Sequence, residues 1–279
     1  VKLTYDDYSD FHARKCPICE GAKRVKRTGV WVTCGCQFNA TAKWRLDQIR
    51  IYPESLKLKG WGDFAGINDS GKKLTDASFI EAKEKALVYC FGQPDPTLAK
   101  DRKKNSIILG HIRDGKNVVI AGDSGSGRSL VAALMLKEVF YASAIKQHKT
   151  SFHWVRAVEL TEAARWATNR TGDVAKSIDR DRLEEWGESD FLFVDGVDLK
   201  PSVGDHRAPP DMTSLNILFS KRFYKPTIVV CASRFLVACN TPGPADLVRE
   251  QWGDDFYTLM HDPENVVISL KKEAGKVVG

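Results

Sequence analysis

"AGDSGSGRS", Ala121 to Ser129, decides how this chain is read. Gly122, Gly127 and Ser129 fit the spacing G-x-x-x-x-G-K-[ST] of a phosphate-binding loop, with Arg128 in the lysine slot. The flanks agree. "NVVIAG" (117–122) is a short apolar run of buried-strand character, and "SLVAALMLKEVFYASAI" (129–145) carries an apolar face at helical spacing. A loop between a strand and a helix start can curl its backbone N–H groups around a phosphate, and the helix dipole favours the negative charge. Gly122, Asp123, Ser124, Gly125, Ser126, Gly127, Arg128, Ser129 and Leu130 are therefore expected to hold the phosphates of ATP, with Ser129 as a Mg²⁺ ligand.

Downstream, short apolar runs alternate with helical patterns. Strands are expected at "SFHWVRAVEL" (151–160), "FLFVDGVD" (191–198), "PTIVVCAS" (226–233) and "NVVISL" (265–270). Helices are expected at "TEAARWAT" (161–168), "MTSLNILFSKRFY" (212–224) and "PADLVREQWG" (244–253). Such alternation predicts an α/β fold, a parallel sheet with helices on both faces. In "FLFVDGVD" four apolar residues precede Asp195, whose carboxylate is placed to share the Mg²⁺ with Ser129, as in a Walker B strand. Ser233, at the end of "PTIVVCAS", could reach the γ-phosphate or the attacking water.

The N-terminal part has a different character. The net charge is +6, and residues 1–60 account for all of it, with 12 Lys/Arg against 6 Asp/Glu. That segment is the one suited to an anionic partner such as nucleic acid. It also holds four of the seven cysteines. Cys16, Cys19, Cys34 and Cys36 read C-x₂-C-x₁₄-C-x-C, two tight pairs that suit a closed tetrahedral Zn²⁺ site. Between the pairs, Lys23, Arg24, Lys26 and Arg27 are expected to ring a ribbon tip, followed by Trp31. Basic side chains can track phosphates while an aromatic stacks on an unpaired base, a combination that suits single-stranded DNA. Trp31 could equally pack inside the ribbon. Cys90 and Cys231, in apolar surroundings, read as core residues.

Residues 41–60 start as a basic helix and break at Pro53. Residues 74–92 place Phe79, Ala82, Ala86, Leu87 and Cys90 at helical spacing, with an N-cap near Thr75 or Asp76. The expected organisation is a zinc-binding basic module (1–60), a helical linker (61–104) and a nucleotide-binding domain (105–279). No run of about 18 apolar residues exists, so no membrane span is expected. The acidic, polar start "VKLTYDDYSD" lacks the apolar core of a signal peptide, and a cytoplasmic location is expected.

The order of a Cys₄ module, a basic segment, a phosphate loop, a Walker B strand and then "RFYKPTIVVCASRF" resembles the DnaC/IstB group of AAA+ proteins. "CPICEG…CGCQ" is similar to the zinc-binding head of helicase loaders, and "KPTIVV…S" to the sensor-1 region of the group. The resemblance spans roughly residues 11–270. It implies an AAA+ P-loop fold, self-assembly into a homo-oligomer, and delivery or opening of a replicative ring helicase in phage or bacterial DNA replication. Three positions depart from the pattern, and all bear on hydrolysis. Arg128 replaces the loop lysine. Gly196 stands where the group has an acidic residue that polarises water, with Asp198 two residues on, on the same side of an extended strand, as a substitute. "WGDDFYTLM" is acidic where the group carries an arginine finger, leaving Arg249, or less readily Arg222, for that role.

The resulting expectation is an ATP-binding helicase loader with weak or lost hydrolysis, using Arg128, Asp195, Asp198, Ser233 and Arg249 for what catalysis it retains. Two alternatives stand beside it. One is an IstB-like transposition helper on duplex DNA. The other is a non-catalytic AAA+ adaptor or inhibitor of a replication protein.

Overall fold

The computed structural model describes residues 4–49, 51, 54–58, 66–67, 73–74, 77–91, 116–146, 150–169, 173–199 and 212–270. Helix α1 (Tyr5–Arg14) opens on a capping box in which the Thr4 and Asp7 side chains each bond the other's backbone N–H. A hairpin follows, β1 (Arg24–Arg27) and β2 (Val30–Thr33), then helix α2 (Gly35–Gln48). Thr28 and Gly29, the two hairpin turn residues, both have positive φ, the geometry that a tight hairpin demands. A two-residue antiparallel pair, β3 (Gly66–Ile67) and β4 (Lys73–Leu74), precedes helix α3 (Ala77–Phe91). The N-cap expected at Thr75 or Asp76 lies outside the described residues.

From residue 116 onward the expected α/β architecture is present. Strands β5 (Val118–Gly122), β6 (Phe152–Arg156), β7 (Phe191–Val197), β8 (Thr227–Ala232) and β9 (Val266–Leu270) form one sheet in the order β6-β7-β8-β5-β9. Every neighbouring pair is parallel. Helices α4 (Arg128–Lys146), α5 (Ala157–Asn169), α6 (Asp173–Glu188), α7 (Met212–Ser220), α8 (Ser233–Cys239), α9 (Pro244–Trp252) and α10 (Asp254–Met260) complete it. The chain leaves β5 for the far edge and returns strand by strand to β8. It then crosses to the other side of β5, so β5 sits where the strand order reverses. In sheets of this type, ligands bind beyond the carboxyl ends of the strands at that switch point.

The strands are apolar on both faces because both are covered. Val119, Ala121, Leu192, Val194, Val229 and Cys231 pack against α5 to α10, and Val118, Ile120, Phe191, Phe193, Ile228 and Val230 against α2, α3 and α4. The second layer draws Leu46 and Ile51 from the N-terminal segment, and Ala82, Ala86, Tyr89 and Cys90 from α3. One apolar core therefore runs across both expected boundaries, near residues 60 and 104. Cys90 and Cys231 are fully buried core residues, as expected.

Several elements differ from the sequence expectation. The strand expected over 151–160 stops at Arg156, because Glu159 turns back and accepts from the Arg156 backbone N–H and guanidinium, starting α5 at Ala157. Ser233 is the first residue of helix α8 rather than the last of a strand. The helix expected over 212–224 ends at Ser220. Beyond it, turns lead to Pro226, which disfavours helix before it.

Those turns carry Arg222, which is fully buried. Its guanidinium donates to the carbonyls of Gly187, Ser189, Asp190 and Pro226, and its Nε to the Thr227 hydroxyl at 3.2 Å. The clamp ties the end of α6 to the starts of β7 and β8. Burial lowers the Arg222 pKa to about 10. Arg222 is therefore excluded as a finger acting on a neighbour's nucleotide. Arg222→Met strips these buried acceptors of their donor. It is expected to lower stability by about 3 kcal/mol or more, read as a fall in the denaturant midpoint at unchanged slope.

Candidate functional site

The glycine-rich loop leaves β5 at the switch point, as its sequence requires. Gly125 and Gly127 have φ of 80° and 84°, values that side chains oppose. The Ser126 N–H donates to the Asp123 carbonyl and closes the turn. Asp123, Ser124 and Gly125 face solvent, while Gly127, Arg128, Ser129 and Leu130 are half-buried. The first turn of α4 contains no acidic residue, and Arg128 opens the helix. A cation at the positive end of a 19-residue helix is electrostatically unfavourable in isolation, and an anion there relieves both charges.

Asp195 reaches this loop from β7. Ser129 Oγ donates to Asp195 Oδ1 at 2.9 Å, so the two residues expected to share a Mg²⁺ are already in contact. Asp195 is nearly buried. Burial raises its pKa, and the Ser129 hydroxyl, Arg128 and the Gly196 N–H pull it back. A buried carboxylate and a hydroxyl beside a cation-bearing helix start form a donor set suited to a divalent ion on a polyphosphate. Ser233 follows Ala232, the register partner of Gly122, which sets it on the same sheet edge.

The residues proposed for hydrolysis are arranged less favourably. Gly196 is a β-bulge: the register slips between Asp195 and Val197, and its φ is 81°. The bulge breaks the alternation on which the expected placement of Asp198 rests. The Asp198 carboxylate is gripped instead by Arg234, through Nε at 2.8 Å and Nη2 at 2.5 Å, and accepts from the Leu199 N–H at 2.8 Å. Arg234 escaped the sequence reading, although its place one residue past Ser233, at a strand end, marks it as a rim residue. Arg249 lies over the Tyr257 ring at 4.2 Å, with Asp246 and Asp254 at 3.6 and 3.8 Å. Within this chain it is held by the acidic stretch that replaces the expected finger.

The four cysteines converge. The sulfurs of Cys16, Cys19, Cys34 and Cys36 all lie within 4.8 Å of one another, with Cys16–Cys34 and Cys19–Cys36 both at 3.6 Å. A tetrahedron with Zn–S of about 2.3 Å has S–S edges near 3.8 Å, so the set fits. Backbone N–H groups of Cys19 and Ile18 bring the Cys16 thiol down to about 7, and burial pushes Cys36 up to about 12. Gln37 donates to Cys36 Sγ and accepts from Ser9 of α1, a buried relay that fixes the position of the Cys36 sulfur.

The hairpin between the pairs sorts its basic residues. The Lys26↔Trp31 and Arg24↔Thr33 pairings put Arg24, Lys26 and Trp31 on one face, and Arg27 on the other. Trp31 is 62% exposed, so it does not pack inside the ribbon. Val25 packs on the cysteines from the opposite face. Lys23 is not at the tip. It sits at the hairpin base, its carbonyl accepting from the Cys34 N–H, and its ammonium pairs with Asp10 at 2.5 Å.

No protein-family model matches the chain, and no curated protein matches it in sequence. Solved structures do. The chain is similar to a DnaC helicase loader at 15% identity and TM-score 0.47, over 74% of this chain and 97% of that one. It is similar to DnaI at 13% identity and TM-score 0.43, over 75% and 93%. It is similar to AMPPCP-bound DnaA from Aquifex aeolicus at 14% identity and TM-score 0.37, over 64% and 49%. The strand order and the loop geometry, rather than these likenesses, show the fold. Among the described residues, no helix is long and apolar enough to cross a membrane.

Gly122 tests the loop directly. A Cβ there would meet Ser126 Oγ at 2.4 Å and the Leu270 carbonyl at 2.9 Å. Gly122→Ala is expected to cost about 1–3 kcal/mol of stability and to weaken nucleotide binding roughly tenfold. Denaturation and a nucleotide titration on the same sample read both.

Proposed function

We propose that this chain is an ATP-binding AAA+ protein of the DnaC helicase-loader type, acting in DNA replication with weak or lost ATP hydrolysis. The observation that carries the reading is the preformed contact between Ser129 and the buried Asp195 at the sheet's switch point. The α4 N-terminus and Arg128 hold the phosphates. Ser129 and Asp195 hold the Mg²⁺, which when bound neutralises charge on the β- and γ-phosphate oxygens. Weak hydrolysis follows from a water-polarising position that is a side-chain-free bulge, Gly196, and from an Asp198 already gripped by Arg234. The four cysteines hold Zn²⁺, which supplies folding energy to a module with little core of its own.

Arg24, Lys26 and Trp31, sharing one exposed hairpin face, support contact with single-stranded DNA. The ring-helicase partner and the homo-oligomer follow from the family resemblance, and Arg249 is the residue for the neighbour's nucleotide in such an assembly. The non-catalytic adaptor reading is favoured by the same Gly196 and Asp198 geometry.

A salt-controlled titration with single-stranded and duplex DNA tests the nucleic-acid part. Single strands are expected to bind more tightly. Trp31→Ala is expected to cost about 1–3 kcal/mol, and Lys26→Ala to flatten the salt dependence by about 0.7 in the log–log slope. Tighter binding to duplex favours the transposition-helper reading. No effect of either substitution removes the hairpin from the interface.

A further inference from the structure

We propose that metal binding at the four cysteines and the docking of α1 on α2 form one coupled equilibrium, with Gln37 as the residue that couples them. The inference rests on the zinc reading above and names the part of the chain that responds to the metal.

Helix α1 depends on what it packs against. It has 10 residues, too few for a helix to persist alone in water. Its sequence is polar, and its buried residues are Ser9 and Ala13. A row of contacts to α2 holds it instead. Tyr5, Tyr8 and Ser9 share one helical face. Tyr5 meets the Trp44 ring edge-on, with centroids 5.9 Å apart. The Tyr8 hydroxyl donates to Asp47 Oδ2 at 2.5 Å, and the Ser9 hydroxyl to Gln37 Oε1 at 2.7 Å. The Ser9 contact is buried, and it continues through Gln37 to the sulfurs.

Gln37 lies in the first turn of α2, one residue past Cys36. Its amide nitrogen has two acceptors, the Ser9 carbonyl and Cys36 Sγ, each at 3.4 Å. The carbonyl fixes which way round the amide lies, because only the NH₂ end can donate to it. One N–H is thereby aimed at the sulfur. A thiol sulfur is a weak acceptor. A thiolate, the form a zinc ligand takes, accepts a charge-assisted bond about twice as strong as a neutral one. Gln37 is buried, so water does not make good an N–H left facing a poor acceptor. Gln37 therefore holds Cys36 more strongly when the cysteines carry metal, and the same amide then holds Ser9 more firmly. The coupling is reciprocal: what α1 gains from the metal, the metal site gains from α1. Tyr8, Phe11 and His12 of α1 line a cleft of about 780 Å³ together with Lys137, Glu138 and Tyr141 of α4. The metal-responsive helix thus faces the helix that starts at the phosphate loop.

Two substitutions in the full chain separate the coupling from general damage. Gln37→Leu keeps a side chain of similar size and removes the amide. Ser9→Ala removes the bond to α1 and leaves Gln37 and the cysteines in place. Zinc affinity is read by competition with a chromophoric chelator. It is expected to fall about 10- to 100-fold in Gln37→Leu. In Ser9→Ala it is expected to fall about two- to tenfold, although the alanine replaces a residue that acts on the sulfur only through Gln37. Hydrogen exchange at saturating zinc then reads α1 apart from its surroundings. The α1 amides are expected to exchange about tenfold faster in Gln37→Leu than in the wild type, with the β1–β2 hairpin unchanged. A Ser9→Ala protein with wild-type zinc affinity overturns the coupling. So does a zinc-loaded Gln37→Leu protein whose α1 exchanges as in the wild type, or whose hairpin loosens as much as α1. If Gln37→Leu does not fold, the zinc affinity and α1 exchange of Ser9→Ala decide on the same terms. A wild type that binds no zinc overturns the zinc reading, and the coupling with it.

Discussion

The hydrogen bond from Ser129 to Asp195 is the contact around which this molecule is arranged. It joins the loop after β5 to the end of β7, two strands held apart by β8. The bond forms only if all three are in register, and that register is fixed by apolar side chains packed on both faces of the sheet. Burying a carboxylate is costly without compensation. Here the hydroxyl of Ser129 and the charge of Arg128 offset part of the burial, and a divalent ion is suited to offset the rest. A helix that starts with an arginine and no acidic residue adds the same demand from the other side.

The cysteine module is tied to this centre through shared packing. The helix that begins at the second cysteine pair, α2, buries Leu46 in the same apolar layer as the phosphate-loop helix α4. At its other end, Cys36 is fixed through Gln37 and Ser9 to α1. The exposed Trp31 face of the hairpin is therefore presented by a framework continuous with the phosphate-loop helix α4.

Much of this was legible in the residues. The phosphate loop and Asp195 stood out because glycine spacing, an apolar run and a helical stripe are all local signals. The cysteine spacing revealed the converging four-sulfur cluster for the same reason. What escaped depends on contacts distant in sequence or on backbone geometry. Gly196 was marked in the sequence by the acidic residue it replaces, but nothing local showed that it forms a bulge, and the bulge undoes the parity that placed Asp198. Arg222 reads as a surface helix arginine, yet it is buried among carbonyls from two segments of the chain. Helix α6 escaped because its charged residues mask the few apolar positions, Leu183 and Trp186, that it buries. Trp31 could not be placed from sequence, since a tryptophan in a short ribbon has no periodic partner to show its side.

Ser129 and Asp195 are proposed to form a place for nucleotide-bound Mg²⁺. The most direct measurement is a calorimetric titration with ATP, in Mg²⁺ and in excess chelator, on the wild type and on Ser129→Ala. Binding that Mg²⁺ strengthens is expected in the wild type, and this strengthening is expected to be largely lost in Ser129→Ala. Equal affinity with and without Mg²⁺ in the wild type, or no affinity for ATP at all, would contradict it.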